Sequence, residues 1–129
     1  RDGSVHLSKI LIPVARSPRP QPAVEAAARL VEKFKVTAGT FVVMHVGDSR
    51  SMPTFRRPEV AGWEWKQELR TGDVIQSIVD AAKDLEADLI VMSTDGRNGF
   101  LDSLRGSHSE RVLRYGAAPL LTVPVGSPA

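Results

Sequence analysis

Four short runs of this chain are apolar at nearly every position. They are KILIPV (Lys9–Val14), TFVVMHV (Thr40–Val46), ADLIVMST (Ala87–Thr94) and the closing PLLTVPV (Pro119–Val125). None alternates apolar with polar residues, so each strand must be covered on both faces. Two-sided strands need helices above and below them, and the intervening sequence supplies helical spacing. AVEAAARLVEKF sets Val24, Ala27, Ala28, Val31 and Phe34 on one stripe, with Pro22 suited to a first turn. VIQSIVDAAKDL does the same with Ile75, Ile78, Ala82 and Leu85. Strands alternating with amphipathic helices specify a parallel sheet sandwiched between helical layers.

The remaining segments fit around this frame. ARSPRPQP (Ala15–Pro22) carries three prolines and reads as a loop. Gly47–Arg70 shows no sustained period and holds Trp63 and Trp65, so residues 47–70 are expected to form a long loop ending in a helical turn. The two tryptophans are expected to pack that loop onto the body. Ser107–Tyr115 reads as a short helix. Residues 1–8 are expected to be a flexible N-terminal segment or a tag remnant, and residues 9–126 a single domain. Because the chain begins at Arg1 rather than Met, two readings of RDGS stay open, a cloning remnant or part of a module joined to a larger protein such as a transporter.

Composition narrows the function classes. Seventeen Lys and Arg against fifteen Asp and Glu leave a formal charge of +2, with the signs interspersed rather than clustered. That balance, with only 5% aromatic residues, argues against a nucleic-acid partner. The absence of cysteine removes disulfides, thiolate zinc sites and thiol nucleophiles, and suits a cytoplasmic location. No apolar run is long enough to span a membrane. His6, His45 and His108 lack metal-ligand spacing and read as ordinary hydrogen-bonding histidines, with His45 at a strand end. No catalytic base or nucleophile stands out.

The chemistry-bearing stretch is STDGRNGFLDSLRGSHSERV (Ser93–Val112), which follows a strand and opens a helix at Gly106-Ser107. In a parallel sheet, ligands bind outside the carboxyl ends of the strands, where the strand order reverses. Glycines let bare backbone approach a ligand, and a helix start offers unpaired amides to a phosphate. Ser107-His108-Ser109-Glu110 also satisfies the capping box, which seals a helix start with no ligand present. The two readings overlap, because a capped helix can still direct spare amides outward. Neither the Walker A nor the dinucleotide glycine pattern occurs.

Ser93-Thr94-Asp95-Gly96, nine residues, then Gly106-Ser107 resembles the G-x-x-G-(nine)-G-[ST] signature of the universal stress protein family. SERVLRYGAAPLLTVPV is similar to that family's final helix and strand, and the three earlier apolar runs resemble its other strands. The resemblance implies an open, Rossmann-like parallel sheet of five strands with helices on both faces, the adenine nucleotide alpha hydrolase-like fold. It also implies an ATP or AMP site used with Mg²⁺. Gly96, Gly106, Ser107 and Ser109 would contact phosphates, and Pro13, Val14, Ala15, Val46, Met92 and Ser93 would line the nucleoside side. A homodimer through the last strand, Leu120–Val125, is implied as well.

Three departures weaken the implied site. The family's nucleotide binders carry an Asp directly after the first strand, where this chain has Ala15 and then Arg16. Ser93 replaces the first motif glycine, and Asp95 sets a negative charge beside the proposed phosphates unless a cation intervenes. Arg16, Arg97 and Arg105 are the candidates to offset it. The expectation is therefore a dimeric stress-response or regulatory module with a weakened ATP/AMP site. The alternative is a functional ATP-binding sensor whose hydrolysis is slow at most.

Overall fold

The computed structural model describes residues 7–16, 19–94, 111–113, 116 and 118–125. Seven elements follow one another: β1 (Lys9–Pro13), α1 (Gln21–Lys33), β2 (Gly39–Val46), β3 (Trp63–Arg70), α2 (Val74–Asp84), β4 (Leu89–Thr94) and β5 (Leu120–Pro124). The strands form one sheet in the order β3-β2-β1-β4-β5, and every pairing is parallel. Residues 111–113 are helical, within the span expected for the last helix.

Successive strand residues point to opposite faces, and each face carries its own helix. Leu11, Val42, Met44, Ile90 and Met92 meet Ile75, Ile78, Ala81 and Ala82 of α2. Ile10, Ile12, Phe41, Val43 and Val91 meet Ala23, Val24, Ala27 and Val31 of α1. The side chains of Ile10, Leu11 and Ile12 are fully buried, which is why the three central positions of β1 tolerate no polar residue, while Lys9 sits at its partly exposed start. Phe34, expected on the apolar stripe of α1, instead lies just beyond the helix end and is half exposed.

The fifth strand is the clearest correction. Residues 63–70, expected within a loop and as a helical turn, form β3 at the edge of the sheet, in register with β2 from Gly39↔Trp63 to Val46↔Arg70. Trp63 and Trp65 both stack on Phe41, with ring centroids 4.5 and 4.2 Å apart. Their indole N–H groups donate to the carbonyls of Val36 and Pro58, each at 2.8 Å. On the other face of β3, Arg70 is paired with Glu68 and Asp84. The hydrogen bond it donates to Glu68, more than the one it donates to Asp84, raises the guanidinium pKa further above its ordinary value, against the opposing effect of burial. Residues 47–62 remain without regular structure beyond turns.

Candidate functional site

The sheet opens at the point where its strand order reverses. β1 and β4 are neighbours, yet their register covers only Ile10↔Leu89 and Leu11↔Ile90. Beyond those residues β1 continues with β2 and β4 continues with β5, so the two halves part at their carboxyl ends. A cavity of about 160 Å³ occupies this region. Pro13, Val14 and Ala15 line it from the exit of β1, and Pro20 from the entry of α1. Met44, His45 and Val46 line it from β2, Met92 and Ser93 from β4, and Val74 and Ile78 from α2.

Size and lining together define what fits. An apolar cavity of about 150 Å³ accommodates a single benzene-sized ring. The space is therefore suited to a flat ring system, and a larger ligand would extend toward the mouth of the crevice. Most of the lining is hydrocarbon or thioether, and Met44 and Met92 adapt to flat guests.

Among the described residues two polar side chains line the cavity, His45 and Ser93, and both are held by the fold. His45 is buried; its Nδ1 donates to the Val14 carbonyl at 2.9 Å, because a carbonyl can only accept. Its Nε2 lies 2.8 Å from the Ser51 hydroxyl, which in turn lies 3.0 Å from the Asp48 carbonyl. The imidazole thus ties the ends of β1 and β2 to the turn at residues 48–51. Gly47, at φ +147°, lets that turn fold back closely, since a Cβ there would stand 2.7 Å from Ser51 Oγ and 3.0 Å from His45 Nε2. Ser93 has a different task. α1 starts after Pro20, with no side-chain cap of its own, and the buried Ala23 amide donates to Ser93 Oγ at 3.3 Å. A β4 side chain therefore caps a helix that precedes it by seventy residues.

Of the residues expected on the nucleoside side, Pro13, Val14, Ala15, Val46, Met92 and Ser93 all line this one cavity. Gly96, Gly106, Ser107 and Ser109, together with Asp95, Arg97 and Arg105, lie outside the described residues. Arg16 is exposed, and its guanidinium reaches the Arg50 carbonyl at 3.5 Å. Sequence reasoning left Pro20, Met44, Val74 and Ile78 out of the site. Ile78 carried no signal beyond its place on the apolar stripe of α2, and Val74, one helical turn before it, lies outside that stripe.

Residues 54–124 match the model of the universal stress protein family. The chain belongs to that family. A universal stress protein of Methanocaldococcus jannaschii is 26% identical over 145 aligned positions, which span 95% of this chain and 85% of the relative. Among solved structures, a universal stress protein in complex with cAMP aligns with a TM-score of 0.64 at 14% identity, covering 95% of this chain and 100% of that one. A universal stress protein family protein from Arabidopsis thaliana with AMP bound aligns at 0.53 and 15% identity, covering 93% of each chain. At these identities the two structures establish the shared fold of a five-stranded parallel sheet with helices. No helix among the described residues of this universal stress protein is long and apolar enough to cross a membrane.

Proposed function

We propose that this universal stress protein is a regulatory module that takes the base of an adenine nucleotide, ATP or AMP, into the cavity between β1, β2 and β4. One observation supports this above the others: the parting of β1 from β4 at their carboxyl ends leads into an apolar, ring-sized space lined by Val14, Ala15, Val46 and Met92. That two family structures hold cAMP and AMP supports the same ligand class. In this reading the phosphates extend from Ser93 toward Gly96, Gly106, Ser107 and Ser109, with Mg²⁺ screening Asp95. The affinity is low. Ala15 offers no acceptor to the sugar hydroxyls, and both ring nitrogens of His45 are engaged within the protein.

The working unit is a dimer formed through β5. That strand is an edge of the sheet, and Leu121 is 38% exposed, an apolar residue on an unpaired rim. The module acts by presenting a nucleotide-dependent surface rather than by turnover.

Calorimetric titration with AMP and ATP, with and without Mg²⁺, tests the ligand. A dissociation constant of ~0.1–1 mM, equivalent to about −5.5 to −4 kcal/mol, is expected. Absence of heat at several millimolar nucleotide would remove the reading.

A further inference from the structure

The opposite rim of the sheet carries a second self-complementary surface, independent of the nucleotide reading. In β3 the even-numbered residues face β2. The Gly39 amide donates to the Gly62 carbonyl and the Gly47 amide to the Arg70 carbonyl, which bracket the ladder and fix its parity. The amides and carbonyls of Trp65, Gln67 and Leu69 therefore point away from the sheet. No hydrogen bond from any described residue satisfies them. Leu69 is 39% exposed beside this open edge.

Charge then selects what can pair here. Along one face of β3 the order is Glu64, Lys66, Glu68, Arg70, alternating in sign. Glu64 and Lys66 have no ion-pair partner among the described residues, whereas Glu68 and Arg70 hold each other. We propose that the free edge of β3 pairs antiparallel with the same edge of a second copy, on a two-fold axis centred at Gln67.

That register brings outward-facing groups opposite one another. Gln67 exchanges two hydrogen bonds with its symmetry mate, and Trp65 does the same with Leu69 of the second copy. The closer, non-hydrogen-bonded positions then set Lys66 against Glu68 and Glu64 against Arg70, every contact between opposite signs. Moving the axis to Lys66 or to Glu68 opposes like charges at the centre, Lys66 on Lys66 or Glu68 on Glu68. Registers of the other parity set outward groups against groups already bonded to β2. An alternating charged edge commonly serves to discourage pairing. Here it disfavours the two neighbouring registers, and the axes at Trp65 and Leu69, which also oppose unlike charges, keep two such contacts where the Gln67 axis keeps four. The contact is isologous, as expected of a two-fold pair, and its short length makes it a weak association that populates at high concentration.

Sedimentation velocity on the full chain carrying Leu121→Lys, which breaks the β5 contact proposed above and serves as the parent, from 10 µM to 1 mM (about two decades of concentration, wide enough for weak dimers), tests the proposal with four further variants. Gln67→Pro removes the central outward amide without touching the β2 ladder, and is expected to weaken association about tenfold or more. Lys66→Glu and Glu68→Lys alone oppose like charges across the axis and weaken it by a comparable factor. The double exchange K66E/E68K reinstates opposite signs and is expected to recover association to within about threefold of the parent. Circular dichroism confirms that each variant folds. A parent that stays monomeric at 1 mM, association unchanged by Gln67→Pro, or a double variant no stronger than the singles would each overturn the proposal.

Discussion

Ser93→Ala separates two tasks that one hydroxyl could serve. The Ser93 Oγ accepts the hydrogen of the Ala23 amide at 3.3 Å, toward the long end for such a bond. Ala23 is fully buried, and α1 has Pro20 rather than a polar residue at its cap position. Removing Oγ leaves a buried donor unpaired in the first turn of a 13-residue helix. Losing a cap costs about 0.5–2 kcal/mol, and orphaning a buried amide about 1–3 kcal/mol. These describe one event, not two, so about 1–2 kcal/mol is the expectation. At ~2.1 cal/mol/K per residue, a chain of this length has an unfolding entropy near 0.27 kcal/mol/K, so the melting temperature should fall by ~4–7 °C. Differential scanning calorimetry reads the shift directly. AMP affinity should change less than about threefold if the hydroxyl serves the helix alone, its own hydrogen then meeting no ligand atom. An unchanged melting temperature with a large loss of affinity would refute the reasoning and make Ser93 a ligand contact.

Two further perturbations follow from the same geometry. α1 and α2 both end in paired amide-to-carbonyl bonds, Val36 to Val31 with Lys35 to Glu32, and Ala87 to Ala82 with Glu86 to Lys83, which force Lys35 and Glu86 to φ of 56° and 53°. Lys35→Gly and Glu86→Gly should each raise stability by about 0.5–1 kcal/mol in urea titrations, since a left-handed non-glycine residue costs ~1–2 kcal/mol and glycine returns part of that as entropy; a loss of stability would contradict the strain argument. Ala15→Asp puts a carboxylate on the cavity wall next to the β1 exit, and isothermal titration should show AMP binding tighter by about tenfold, the equivalent of one charge-assisted hydrogen bond. Weaker binding would mean that the sugar does not lie against that wall.

How far the sequence carried the fold depended on how each strand is buried. β1, β2 and β4 are central, apolar on both faces, and so visible as uninterrupted runs. β3 is an edge strand with one face in water. WEWKQELR does alternate, Trp63, Trp65 and Leu69 against Glu64, Lys66, Glu68 and Arg70, but Gln67 interrupts the apolar side. Averaged over Gly47–Arg70, that alternation disappears into a polar, proline-bearing segment. The site divides in a similar way. Residues at the carboxyl ends of central strands were legible because the topology alone brings those ends together. Val74 and Ile78 were not, because nothing in an amphipathic stripe tells which helix start overhangs the crevice. The caps were hidden too: Ser93 serves α1 across seventy residues, a pairing visible only in three dimensions.

The claim on which the account rests is that the space between β1, β2 and β4 receives the base. Titrating ¹⁵N-labelled protein with AMP and following its amide resonances tests this most directly. The account predicts that Val14, Ala15, Val46, Gly47, Met92 and Ser93 shift together, saturably, while amides along β3 stay still. Saturable shifts confined to residues away from that cavity, with Val46 and Met92 unmoved, would contradict it.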